Sequence, residues 1–367
     1  MAKLLEDRGW SQRLVAVILD VTEATISKIM SENLAVSAEM ALKFQAIFGV
    51  PAEAFMRLQQ EYDLAKARIT VVTDPNTATR ATLFGDLPIP EMIKRRWLAA
   101  TDVREVESVQ SSLVDFFGVK SVDEIEVLPH AAKKTAVATP ATPAQLAWLY
   151  RVKMIADDMM AAKYSENAVY GLIPKLEELM VSAEAVRKVP RLLMECGVRF
   201  VICETISSAK IDGVCFWLDQ ATPVIAMSLR FDRIDNFWFV LRHEIEHLIQ
   251  KHGQSAIMLD AELEGERAGV GENVTEEERM ANTAAANFGV STRTIDRFIA
   301  RKSPFFKEAD LLGFAATEGV HPGIIVGRLQ HATGRYDLFR NHLVKIRSKI
   351  VPSAMVDGWG DVAPVGL

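Results

Sequence analysis

The sequence predicts a mainly α protein with a small β-sheet, an α+β chain built in two parts. Three observations carry this. Residues 1 to 69 read as short helices broken at "DRGW", "LDVT", "MSENLAVS" and "FGVPAE". Strand-like runs rich in β-branched and aromatic residues cluster between about 198 and 230: "VRFVIC", "IDGVCFWLD" and "PVIAMSLR". A third feature, the helical stretch "NFWFVLRHEIEHLIQKHG", follows them directly. At 367 residues the chain exceeds one ordinary core, so more than one domain is expected. The boundaries read as 1–69 for an all-α domain, 70–144 for a helical connector and linker, 145–350 for the larger domain, and 351–367 for a tail.

In the first element, "WSQRLVAVILDVTEATISKIM" has helix-turn-helix spacing. Ser11 caps a helix through Leu14, Val15, Ile18 and Leu19; a turn at Asp20 and Val21 leads to a second helix from near Thr22. Asp20 stands where glycine is usual, and it adopts a left-handed conformation less freely. Thr22, Glu23, Thr25, Ser27 and Lys28 are left on the outer face, where a recognition helix meets bases and phosphates. Residues 1–69 hold eight basic against nine acidic side chains, and the whole chain carries a net −6, so charge gives no argument for nucleic acid.

The connector holds prolines and further helix, and "HAAKKTAVATPATPAQ" has linker composition. Helical periodicity returns in "QLAWLYRVKMIADDMMAAKY" and "YGLIPKLEELMVSAEAVRKVPRLLMECG". The strand "PVIAMSLR" ends just before the histidine helix and is expected at a sheet edge, where an extended peptide could add a strand. The acidic N-terminus is no signal peptide, and no run approaches the roughly 18 apolar residues of a membrane span. Cys196, Cys203 and Cys215 have no C-x-x-C spacing and read as buried thiols in a reducing cytoplasm.

His243 and His247 lie four apart, hence one turn apart on one helical face, and can present two imidazoles to one ion. Glu244 sits one residue round, placed to take a proton from water. This is H-E-x-x-H: two ligands and a general base for zinc hydrolysis. Asp232 or Asp235 is expected to cap the helix and Gly253 to end it. The third ligand is expected in "TEEERMAN", on a helix whose buried face is Ala281, Ala284, Ala285 and Phe288. Spacing leaves Glu277 and Glu278 open, and Thr275 with Glu278 also matches a capping box. His130, His252, His321, His331 and His342 have no motif spacing and read as ordinary structural or surface residues.

Two resemblances add to this. "RGWSQRLVAVILDVTEATISKIMSENLAVSAEMALKFQAIFGVPAEAFMRLQQEYDLAKAR" resembles the XRE-type domain of HigA-like antitoxins and regulators. It implies DNA binding, usually as a dimer, with Gln12 on phosphate and Thr22, Glu23, Thr25, Ser27 and Lys28 in the groove. Residues from about 145 to 347 resemble the ImmA/IrrE family of metallo-endopeptidases, on "AKIDGVCFWLDQATPVIAMSLR", "RHEIEHLI", "EEERMANTAAANFGV" and "HPGIIVGRLQ". The likeness implies a zincin-like domain with Zn²⁺ on His243, His247 and Glu278, Glu244 as general base, and Asn282 orienting a ligand. Where that family usually has "N-x-F-A", this chain reads "NTAAANF". The implied function is a DNA-binding regulator fused to a peptidase that cleaves a regulatory protein such as a repressor. Its alternative is a non-catalytic regulator or antitoxin whose peptidase-like domain senses or binds.

Overall fold

A computed structural model describes residues 2–71, 77–125, 141–254, 258–261 and 275–365. The chain divides into two compact units, Met1–Thr77 and Ala78–Leu367.

Among the described residues the smaller unit holds five helices: α1 (Ala2–Arg8), α2 (Gln12–Ile18), α3 (Glu23–Met30), α4 (Ala38–Phe48) and α5 (Ala52–Thr70). Ser11, Thr22 and Ser37 each precede a helix and accept a hydrogen bond from the backbone N–H three residues on. Such caps satisfy a helix-end donor and stabilise by about 1 kcal/mol each. Asp20 takes the left-handed conformation, φ 53°, that lets α2 turn into α3. Val15, Ile26, Phe44 and Phe48 fill the core, and burying Phe44 contributes about 1.5–3 kcal/mol.

Among its described residues the larger unit is a five-stranded mixed sheet between helical layers. Helices α6 (Thr77–Asp86), α7 (Ile89–Lys94), α8 (Val106–Phe117), α9 (Pro143–Asp157), α10 (Glu166–Leu179) and α11 (Val189–Glu195) precede β1 (Arg199–Cys203), β2 (Ile211–Trp217) and β3 (Pro223–Met227). Then come α12 (Ile234–Ile249), β4 (Met258–Ala261), α13 (Glu276–Ala286), α14 (Thr292–Lys302), α15 (Glu308–Glu318), α16 (Pro322–Thr333), α17 (Arg347–Ile350) and β5 (Met355–Asp357). The order across the sheet is β4-β2-β3-β1-β5. β1 pairs parallel with β3 and β5, while β2 pairs antiparallel with β3 and β4.

Alternation along the strands divides the core. Phe200, Ile202, Cys215, Ile225 and Met227 face the layer containing α10, α11 and α12. Val201, Val214, Phe216, Val224 and Ala226 face the layer containing α8 and α9. Helices on both faces explain why β1 to β3 are near-continuous apolar runs.

Three expectations change. β3 lies between β2 and β1, so it is interior rather than an edge, and its backbone is already paired on both sides. The expected connector is largely structural: Leu83, Ile89, Met92, Leu113 and Phe116 are buried against Trp148 and the sheet. Its "HAAKKTAVATP" portion falls outside the described residues, and the following Pro143–Gln145 opens α9 behind a Thr142 cap. The expected tail supplies β5. Asp357 is fully buried there, accepting from Arg151 Nε (2.9 Å), Trp97 Nε1 (2.8 Å) and the Ala363 N–H (3.2 Å). The sequence pattern missed this because a three-residue strand has no readable period.

Cys196, Cys203 and Cys215 are buried and reduced. Among the described residues no helix is long and apolar enough to cross a membrane.

Candidate metal centre and nucleic-acid face

Helix α12 crosses β2 and β3 with Ile234, Phe237, Trp238, Leu241, Ile245 and Leu248 in the core. That stripe fixes the rotation of the helix. His243 and His247 then point toward α13 and are 0% and 1% exposed. The helix is not capped as expected. Its N-cap is Arg233, with no side-chain cap. Asp232 accepts instead from the N–H groups of Ile346 and Arg347, and Asp235 pairs with Arg233. Gly253 does not end it either: the first left-handed residue after the helix is Lys251, φ 59°.

Helix α13 starts at the cap Thr275, which accepts from Glu278 N–H at 3.2 Å. Glu278 therefore uses its main chain for the cap and leaves its carboxylate for α12. Ala281, Ala285 and Phe288 are buried as the spacing predicts, whereas Ala284, expected on the same face, is only half-buried. The two imidazole Nε2 atoms approach to 3.0 Å. Glu278 spans both, with Oε2 at 3.5 Å from His243 and Oε1 at 3.4 Å from His247. Glu277 stays half exposed, with Oε1 3.9 Å from His252 Nε2. Of the two glutamates left open by spacing, only Glu278 joins the histidines, and the three donors lie within 4.8 Å of one another.

These separations fit a metal. Ligands about 2.0–2.1 Å from a tetrahedral zinc are about 3.3 Å apart along each tetrahedral edge. Two imidazoles and one carboxylate are also a zinc donor set with a position left over. Burial opposes ionisation of Glu278. Hydrogen bonds to His243 and His247 and their charge outweigh it and hold the carboxyl well below the usual carboxylate range.

Glu244 is fully buried on the sheet side of the same turn. It rests on β2 at Gly213, where an added Cβ would stand 2.1 Å from its Oε1 and 2.9 Å from Val240 Cγ1. The β2–β4 register shifts between Ile211 and Gly213, and Asp212 turns aside to bind Arg230 (3.0 and 3.1 Å). The glycine thus marks a close approach of helix to strand. A glycine inside a strand-like run was the one sequence signal for it.

The orienting contact expected of Asn282 is not made. Among the described residues it forms no hydrogen bond to Glu278 or to either histidine. It lines instead a cleft of about 490 Å³, with Phe239, Phe288, Ile295, Arg328 and Tyr336. The cleft adjoins the three donors: Phe239 stacks on His243, 6.4 Å between centroids, and Asn282 lies one turn beyond Glu278. A histidine set aside by the sequence does belong here. His252 Nδ1 lies 2.9 Å from His247 Nδ1. Burial, then neighbouring His247, lowers the pKa of His252 against the pull of Glu277, Glu278 and Glu246. His321 is structural: its Nδ1 accepts from the Gly323 N–H and caps α16.

In the smaller unit, Thr22, Glu23, Ser27 and Lys28 are exposed on and before α3, while Thr25 and Gln12 are half-buried. The Thr22 and Thr25 hydroxyls are 2.9 Å apart and both belong to the cap. Beside α3, Val17 is 74% exposed on α2. Ile26 and Ile29 anchor α3 in the core, so its polar side is held outward. Residues 1–55 match the family model described as Helix-turn-helix, which supports a DNA-binding transcription regulator. The match stops short of the larger unit. No curated protein matches the chain.

Proposed function

We propose that this DNA-binding regulator carries, as its larger unit, a zinc-dependent metallo-endopeptidase that acts on a regulatory protein such as a transcriptional repressor. The observation that supports this most is the approach of two imidazole Nε2 atoms and one carboxylate at tetrahedral-edge separations. His243, His247 and Glu278 would hold the ion. Bound zinc would polarise a peptide carbonyl and make water more acidic. Glu244, about 100° round the helix from His243, is off the ligand stripe and would accept the proton of the attacking water. It would return that proton to the departing amine. Its seat against Gly213 keeps the carboxylate in one orientation, out of bulk water. The apolar cleft beside Phe239 would take a substrate side chain. Two copies would present two α3 helices to paired half-sites on DNA.

The test is metal analysis and proteolysis with Glu244→Gln, which keeps size and loses the proton acceptor. Wild type and variant should both hold about one zinc per chain, and Glu278→Ala should hold less. Cleavage of a repressor encoded nearby should fall by about 10² to 10⁴ in Glu244→Gln, with DNA binding unchanged. If that variant controls its promoter like wild type, the larger unit is a sensor or antitoxin-like binding module, and the peptidase reading is wrong.

A further inference from the structure

Helix α12 ends in a turn that brings a third imidazole back over the helix. The His252 N–H donates to the His247 carbonyl (2.9 Å) and the Lys251 N–H to the Leu248 carbonyl (3.1 Å). With Lys251 left-handed, this is the paired hydrogen-bond pattern of a Schellman motif. In that motif the residue after the left-handed one lies over the residue five positions earlier, usually through an apolar contact. Here both positions are histidine. Their rings are 5.1 Å apart between centroids and their Nδ1 atoms 2.9 Å apart.

A hydrogen bond between two Nδ1 atoms needs one donor and one acceptor. His247 Nε2 faces His243 and Glu278, so on the zinc reading that nitrogen offers its lone pair to the ion. Its proton then sits on Nδ1, and His252 Nδ1 must accept it. This leaves the His252 proton on Nε2, the nitrogen on the side of Glu277. We propose that His252 is a positioning residue of the metal centre, fixing the tautomer and ring angle of His247. Ligand histidines commonly donate their second N–H to a carboxylate, carbonyl or water that orients them. In this chain an imidazole takes that place, delivered by the helix-terminating turn.

The backbone at this point does not depend on the imidazole. Trp217 Nε1 donates to the His252 carbonyl at 3.2 Å. Gly253, φ 79°, passes so close to β2 that a Cβ there would stand 2.6 Å from the Cys215 carbonyl oxygen. Changing the His252 side chain therefore leaves the turn anchored.

The proposal rests on the zinc reading, and zinc affinity separates the two. Competition with a chromophoric chelator would give the Zn²⁺ Kd of the full chain as wild type, His252→Asn, His252→Leu and His252→Ala. Asparagine keeps an acceptor oxygen close to the Nδ1 position; leucine fills the space without one, and alanine guards against a packing clash. Leucine and alanine should weaken zinc binding by about 10- to 100-fold, while asparagine restores most of the affinity. Cobalt-substituted His252→Asn should keep the wild-type visible spectrum, and the leucine variant should shift it. Equal affinity in all four proteins, or asparagine as weak as leucine, would overturn the positioning role. A wild type that binds no zinc would overturn the zinc reading, and this proposal with it.

Discussion

In the smaller unit the polar side chains of α3 lie outside an apolar core; in the larger unit His243, Glu244 and His247 lie inside one. Lys28 and Ser27 touch solvent, and the fold beneath them is held by Ile26, Phe44 and Phe48. Function and stability are therefore separable there. In the larger unit the same residues would serve both. A buried polar group costs free energy unless its surroundings compensate it, and those surroundings come from α13, β2 and the turn after α12. The same logic extends to β5, where Asp357 pairs with Arg151, 206 residues away along the chain, and both are buried. Changes at the buried polar groups of the larger unit should accordingly cost stability, whereas changes to the exposed polar side chains of α3 should cost only binding.

The largest expected stability effect is at that pair. Asp357→Ala leaves the Arg151 guanidinium buried beside a missing carboxylate, and breaking a buried pair this way costs about 3–5 kcal/mol. Urea unfolding would measure it, with DNA binding by the other unit unchanged. A loss below about 1 kcal/mol, the range of surface ion pairs, would mean the C-terminal strand is not integral to the fold.

Gly213→Ala sharpens the comparison at the candidate centre. The added methyl must displace the Glu244 carboxylate, a strain on the order of 1–3 kcal/mol. Thermal unfolding should show the destabilisation, and zinc titration should show His243, His247 and Glu278 still competent. An unchanged melting temperature would show that Glu244 relocates freely, and the close approach would then not hold it in place.

Lys28→Ala tests the separable side. The salt dependence of binding to the chain's own upstream DNA should lose about one unit of log–log slope. Folding stability should change by less than about 0.5 kcal/mol, as for other exposed substitutions. An unaltered salt slope would remove Lys28 from the phosphate contacts.

Smallest is Asp20→Gly. Asp20 is held at φ 53°, and glycine relieves the left-handed strain but loses more chain entropy on folding. A net gain of about 0.5 kcal/mol is expected from chemical denaturation. A loss would mean that the Asp20 side chain stabilises the turn by more than its backbone strain costs.

Local pattern made much of this legible in advance. The cap at Ser11, the turn at Asp20, the start of α3 near Thr22, most of the inward face of α13 and the shared face of His243 and His247 follow from spacing, because helical period and cap chemistry act over three or four residues. The apolar runs of β1 to β3 likewise announced strands, since a strand covered on both faces has few places for polar residues. What spacing could not supply was any relation across long separations. The interior place of β3 depends on β1 and β2 pairing to either side of it. Burial of Leu83, Ile89, Met92, Leu113 and Phe116, and of β5, depends on which sheet face needed covering. The choice of Glu278 over Glu277 depends on how α13 is rotated against α12, since adjacent glutamates differ by about 100° and either lay within reach of the inward face. His252 entered the site because Lys251 turns left-handed after α12, and Asn282 left it for the cleft. The sequence determined the elements and most of their chemistry by short-range sterics and hydrogen bonding. Tertiary structure decided which polar groups meet, because that rests on close packing between segments far apart in the chain.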